Sequence, residues 1–191
     1  MEPNELIKKF SKIEYGFFDK NGKKYKNIGA GFLRRYRLQS IEHIEKTMVG
    51  ICWETVELSR YYLEKNGYSC KTYFFVIPRD KFYNHSILVY EKNNKYYWIE
   101  YSLVKLKGIR EHKSLKDIIF DVLDHFNLVM PKRKVRYEDI KIFEYKIPRA
   151  NSSCLQFFYH CISSKNLTSE YIPEYLKNIA QKQIIWYTYI E

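Results

Sequence analysis

The chain has 191 residues, the length of one domain, and its 46% hydrophobic content excludes a disordered chain. No apolar run approaches the ~20 residues that a membrane span needs. A net charge of +11, from 33 Lys and Arg against 22 Asp and Glu, admits a polyanionic partner. The basic residues are scattered, however, and the densest run, Lys132-Arg133-Lys134-Val135-Arg136, is followed by Glu138 and Asp139. A solvated surface is the favoured reading of that charge, and nucleic acid is a disfavoured partner.

The N-terminus, Met1-Glu2-Pro3-Asn4-Glu5, has neither a basic nor an apolar leader pattern, so a cytoplasmic location is expected. In a reducing compartment Cys52, Cys70, Cys154 and Cys161 are expected as free thiols. Residues 1–12 suggest a short amphipathic helix with Leu6, Ile7 and Phe10 on one face. Ile13 to Phe18 reads as extended, and Asp19-Lys20-Asn21-Gly22 as a turn. Gly29-Ala30-Gly31 lacks the third glycine and preceding strand of a phosphate loop, and reads as a connector. Ser40 caps a helix ending near Met48. After Gly50, a helix from about Ile51 stops at Asn66-Gly67. Its inward stripe is Cys52, Thr55, Val56, Ser59, Tyr62 and Leu63.

Three strands follow, at Cys70 to Ile77, His85 to Tyr90 and Tyr96 to Tyr101. The last two are joined by a turn centred on Asn93-Asn94, residues that tolerate positive φ. Gly108-Ile109 is expected to open a loop. Ser114 caps a helix over about 115–126, with Leu115, Ile118, Ile119, Val122 and Leu123 on its stripe. Ile140 to Ile147 alternates as a strand, Ser153 to Ile162 and Glu170 to Gln181 read as helices, and Ile184 to Ile190 as a last strand. The expected fold class is α+β with an antiparallel sheet, in one domain over 1–191. Its core spans about 40–126, and a helical C-terminal extension about 127–191.

The candidate chemistry lies in Cys52, His85 and Glu100. A thiol attacks as its thiolate, and the first turn of a helix offers unpaired N–H groups and the positive end of the dipole. Glu54 and Glu57 would oppose a thiolate if they pointed at it. If the hairpin is symmetric about Asn93–Asn94, Lys92 faces Lys95 and Ile87 faces Glu100. His85 and Glu100 then share a sheet face as diagonal neighbours, ~7–8 Å apart by backbone. Glu100 can hold one ring nitrogen while the other serves Cys52, an arrangement of nucleophile, base and orienter. A register shift of one residue would put Glu100 on the opposite face. The bland alternatives are a core cysteine, a structural histidine and a solvated glutamate. Cys154 with His160-Cys161 could be taken for a zinc half-site, but a helix face explains it as well, and no metal or cofactor is expected.

Gly50-x-Cys52-Trp53 at a helix start, followed by strands bearing His85 and, after Trp98, Glu100, resembles the core of the transglutaminase-like superfamily. The resemblance covers roughly Thr47 to Ser102. It implies a papain-like fold with the nucleophile helix packed on an antiparallel sheet. It also implies acyl transfer from a peptide or protein amide through a thioester, to water or to an amine. In that frame Cys52 is the nucleophile, His85 the general base and acid, and Glu100 the orienter of His85. The family's third residue is commonly Asp, so Glu100 is a departure, and Asp80 is a weaker stand-in. One oxyanion donor would be the backbone N–H of Cys52 or Trp53. Trp53 and Trp98 are candidate walls of the site, with packing against the core an equal alternative for each. The rival expectation is a binding module of the same fold without turnover, for a peptide or a polyanion.

Overall fold

The computed structural model describes residues 1–26, 28–29, 31–78, 82–102, 107–129, 132, 135 and 139–167. The helix expected at 170–181, the strand at 184–190, Asp80 and most of the basic run at 132–136 lie outside the described residues. In chain order the elements are α1 (Pro3–Phe10), β1 (Glu14–Tyr15), β2 (Phe17–Phe18), β3 (Lys24–Tyr25), α2 (Phe32–Arg35), α3 (Ile41–Thr47) and β4 (Val49–Gly50). There follow α4 (Cys52–Lys65), β5 (Cys70–Pro78), β6 (Phe82–Lys92), β7 (Lys95–Glu100), β8 (Gly108–His112), α5 (Leu115–Val129), β9 (Lys141–Tyr145), α6 (Cys154–Ile162) and β10 (Lys165–Asn166).

The fold is α+β. Among the described residues its main sheet has the order β10-β9-β5-β6-β7-β8, with every neighbour antiparallel. Strand alternation sorts the side chains onto two faces. Phe74, Val76, Leu88, Tyr90, Ile99, Phe143 and Tyr145 belong to the core shared with α4, α6 and the N-terminal segment. Tyr73, Phe75, Ile87, Val89, Trp98 and Ile142 pack with the apolar stripe of α5. The sheet is therefore the middle layer between two helical layers.

Two expectations change. Gly108-Ile109 does not open a loop. Gly108–His112 pairs with β7 as an edge strand, from Tyr96↔His112 to Glu100↔Gly108. Five residues with a charged Arg-Glu-His end carry too weak an alternation to be recognised as a strand. α4 also lacks a solvent face over its first half. Besides the expected stripe, Trp53, Glu54, Glu57, Leu58 and Arg60 are buried. The reason is that α1, α2, α3 and α6 close over it, and the polar residues survive there by pairing. Glu57 forms an ion pair with Arg60, and Glu54 is bonded as described below.

The hairpin register is set by its turn. Asn93 and Asn94 have φ of 53° and 57°, the left-handed pair of a type I′ turn that matches strand twist. The ladder runs from Lys92↔Lys95 to Leu88↔Ile99. On its other side β6 stays paired with β5 out to Pro78↔Phe82. The part of β6 that carries His85 thus extends past the end of the β6–β7 ladder.

Candidate functional site

Cys52 is the first residue of α4, and Ile51 before it is extended, with φ of −97° and ψ of −174°. The chain is brought there by a short parallel ladder, Glu14↔Val49 and Tyr15↔Gly50. Gly50 is needed for space and not for its φ. A methyl group on it would come 2.9 Å from Cβ of Glu54. Glu54 closes the helix start from the N3 position, accepting a hydrogen bond from the Ile51 N–H at 3.1 Å and another from the Tyr36 hydroxyl. Burial pushes its carboxyl up to about 7, against those hydrogen bonds. With Glu54 held by Tyr36 and Ile51, and Glu57 by Arg60, both carboxylates are engaged elsewhere than at the thiol.

His85 and Glu100 meet as the hairpin register requires. Extending the ladder by one step sets Ile87 against Glu100, so both site residues fall on the α5 side of the sheet. His85 Nε2 lies 2.6 Å from Glu100 Oε2. The other carboxylate oxygen, Oε1, accepts from the Ser102 N–H at 2.6 Å. Both side chains are almost fully buried. Cys52 faces the His85 ring across a shared cleft. Since Nε2 is engaged with Glu100, Nδ1 is the nitrogen left for the sulfur. Burial disfavours a charged imidazole, yet the Glu100 charge, the hydrogen bond that the ring donates to Glu100 and the nearness of Cys52 outweigh it, and His85 rises to about 10. Burial likewise opposes ionisation of Glu100, and the charge and hydrogen bond of His85 reverse it, holding the carboxyl below its ordinary value. The pair is therefore imidazolium and carboxylate at neutral pH.

The thiol and imidazole open on a cleft of about 380 Å³ lined by Tyr15, Cys52, Asn84, His85, Ser102, His125, Phe126 and Val129. Of these, Tyr15 and His125 are the polar rings that the sequence reading does not reach. Tyr15 stands over the site from β1, its phenol pushed well above its ordinary value by burial and by Cys52, Glu54 and Glu100. No pattern in the sequence marks it. His125 stacks on His85, with ring centroids 5.6 Å apart and planes 10° from parallel. It sits three residues after Val122, on the apolar stripe of α5. A histidine at a core position was the signal available, and the stripe as drawn stopped at Leu123. Burial, then the His85 charge, push its imidazole down to about 4, so it is neutral.

Trp53 and Trp98 do not wall this cleft. Trp53 stacks on Phe157 at 4.2 Å within the α6 core. Trp98 is fully buried on the α5 side, where it lies edge-on to His125 at 6.0 Å. Both are large apolar rings that the core claims. Cys154 and Cys161 are buried on α6, and the His160 ring meets the Lys146 carbonyl at 2.8 Å. All four cysteines are free thiols. No helix among the described residues is long and apolar enough to cross a membrane.

The arrangement sets a thiol beside an imidazolium that Glu100 holds in one orientation, with both along one cleft. A scan against protein-family models returns no match, and no curated protein matches the chain.

Proposed function

We propose that the chain is a thiol enzyme acting on an amide bond of a peptide or protein through Cys52, His85 and Glu100. The observation that carries this reading is the 2.6 Å His85–Glu100 contact with Cys52 beside it along one cleft. The antiparallel sheet with α4 packed on it supports the papain-like arrangement that the motif resemblance implies.

In this mechanism the Cys52 thiolate attacks the amide carbon, and an S–C bond forms as the carbonyl π pair moves to oxygen. The free N–H groups of the first turn of α4, at Cys52 or Trp53, face the developing oxyanion. The His85 imidazolium gives its Nδ1 proton to the leaving nitrogen, the C–N bond breaks, and a thioester remains. Neutral His85 then takes a proton from water or an amine as that acceptor attacks the thioester, and the thiolate leaves. Glu100 keeps Nε2–H engaged and stabilises the imidazolium throughout. Its extra methylene relative to Asp is accommodated, since the carboxylate reaches Nε2 at hydrogen-bond distance.

A binding module without turnover would be favoured by a thiol sealed under aromatic side chains. Here Cys52 and His85, though buried, both border the cleft. The test is iodoacetamide alkylation followed by peptide mass spectrometry between about pH 5 and pH 9. Cys52 is expected to react faster than an exposed model thiol at the acidic end, and His85→Ala to abolish the advantage. Equal rates for Cys52 and the model thiol across the range would sink the proposal.

A further inference from the structure

His125 makes a demand that the acyl-transfer chemistry does not meet. Its side chain is almost fully buried, and neither ring nitrogen has a hydrogen-bond partner. Buried imidazole nitrogens are ordinarily paired, and an unpaired one is costly. Packing alone would be served by a phenyl ring, as Phe126 shows one residue on. This ring also borders the cleft, with both nitrogens closed off from solvent beside His85.

Ligand atoms of His85, Glu100 and His125 all lie within 4.8 Å of one another. A tetrahedral site built on Zn–N bonds of about 2.0 Å has ligand atoms about 3.3 Å apart. Small side-chain rotations that open the His85–Glu100 contact and draw His125 inward convert one geometry into the other. Two imidazoles with one carboxylate form a donor set for a late first-row divalent ion, while Mg²⁺ and Ca²⁺ call for all-oxygen shells. Three protein ligands leave a fourth position for water or another ligand.

We propose that His85, Glu100 and His125 form a binding site for a divalent transition metal of the Zn²⁺ class, and that its occupancy shuts off the thiol chemistry. The metal takes Nε2 of His85 and a Glu100 oxygen, the two atoms now hydrogen-bonded to each other. The Nε2 proton leaves to solvent, and the metal–nitrogen bond replaces the N–H bond. A metal-bound neutral imidazole keeps one proton, on Nδ1, and has no lone pair left to accept another. His85 then cannot serve as a general base for the acceptor. The inhibitory half of the proposal rests on the acyl-transfer reading, whereas the site itself does not.

The experiment separates the two. Co²⁺ is titrated into tag-free full-length Cys52→Ala protein, and the visible d–d bands of a low-coordinate ion are followed. One equivalent is expected to bind with those bands. His125→Phe, which suits the surrounding rings, and Glu100→Gln should each weaken binding by at least about tenfold. Circular dichroism checks that each variant is folded. Absence of the bands in the Cys52→Ala protein, or equal binding by both folded variants, would overturn the site. In wild-type protein, Zn²⁺ is expected to slow alkylation of Cys52, and a chelator to restore it. Alkylation unchanged by bound Zn²⁺ would overturn the inhibitory half. The thiol reading is tested apart from either, by alkylation in chelator alone.

Discussion

His85 Nε2 and Glu100 Oε2 lie 2.6 Å apart across the far end of a hairpin whose turn is eight residues beyond His85. The contact is local in sequence, so the acid–base half of the site belongs to one supersecondary unit. Its partner, Cys52, comes from a helix on the other side of the sheet. Removing either member of the buried pair strands a charge on the other. His85→Ala is expected to lower acyl transfer by ~10²- to ~10⁴-fold, measured as kcat/KM on a peptide amide. Glu100→Gln keeps the shape but removes the charge, and should lower kcat more than it raises KM.

The His85 titration supplies a direct physical check. Its folded value, about 10, is above the ordinary 6.5. A raised folded value contributes stability that is complete below about pH 6.5 and is lost as pH rises toward about 10. NMR of the imidazole carbon-bound protons should show one histidine still protonated at neutral pH. In Glu100→Gln that resonance should titrate near or below the ordinary value, because burial then acts with no carboxylate to oppose it.

Glu54 predicts a second pH effect of the same sign from a different cause. Burial raises its carboxyl from 4.5 to about 7. Its contribution is complete below about pH 4.5 and is lost as pH rises through about 7, where the buried group must ionise. A shift of that size corresponds to about 3 kcal/mol. Glu54→Gln should therefore be less sensitive to pH than wild type across this window, as read by denaturant midpoints. If the two curves stay parallel between pH 4.5 and pH 8, Glu54 ionisation is not what sets the slope.

Gly50→Ala tests the close approach before the thiol. The added methyl would meet Cβ of Glu54 at 2.9 Å, a backbone-near atom that cannot swing aside. An overpacking cost of about 1–3 kcal/mol is expected in urea unfolding. Alkylation of Cys52 should slow as well, since α4 must shift at its first turn.

The parts of the site legible in the sequence are those that a local rule determines. Asn93-Asn94 pins the register, and the register alone puts Glu100 on the face of His85. Ser40 and Ser153 mark helix starts because their hydroxyls accept from backbone N–H groups three residues on. His125 and Tyr15 are placed by tertiary packing, from α5 and from the two-residue strand β1, and no periodicity ties either of them to Cys52. Trp53 follows Cys52 directly on α4 and so points another way, whereas Trp98 shares the α5 face with Glu100 but is taken up by the core there. The buried outer face of α4 was illegible for a related reason. Glu54, Glu57 and Arg60 are polar by type, and only their mutual pairing and that with Tyr36 lets the core accept them.

The short parallel ladder between β1 and β4 bears on the order in which the site assembles. Tyr15 meets Gly50 across 35 residues, Cys52 meets His85 across 33, and His85 meets His125 across 40, while His85 and Glu100 are separated by only 15. Loop-closure entropy must be overcome before distant contacts are rewarded, so the β6–β7 hairpin closes first and the thiol joins it late. A chain still emerging from synthesis, or partly unfolded, would then carry the histidine and glutamate already paired but no competent nucleophile. Pulse-labelled hydrogen exchange during refolding should show hairpin amides protected before those of Tyr15 and Gly50. On that order of events, Cys52 meets His85 only when the N-terminal fifty residues have closed over α4.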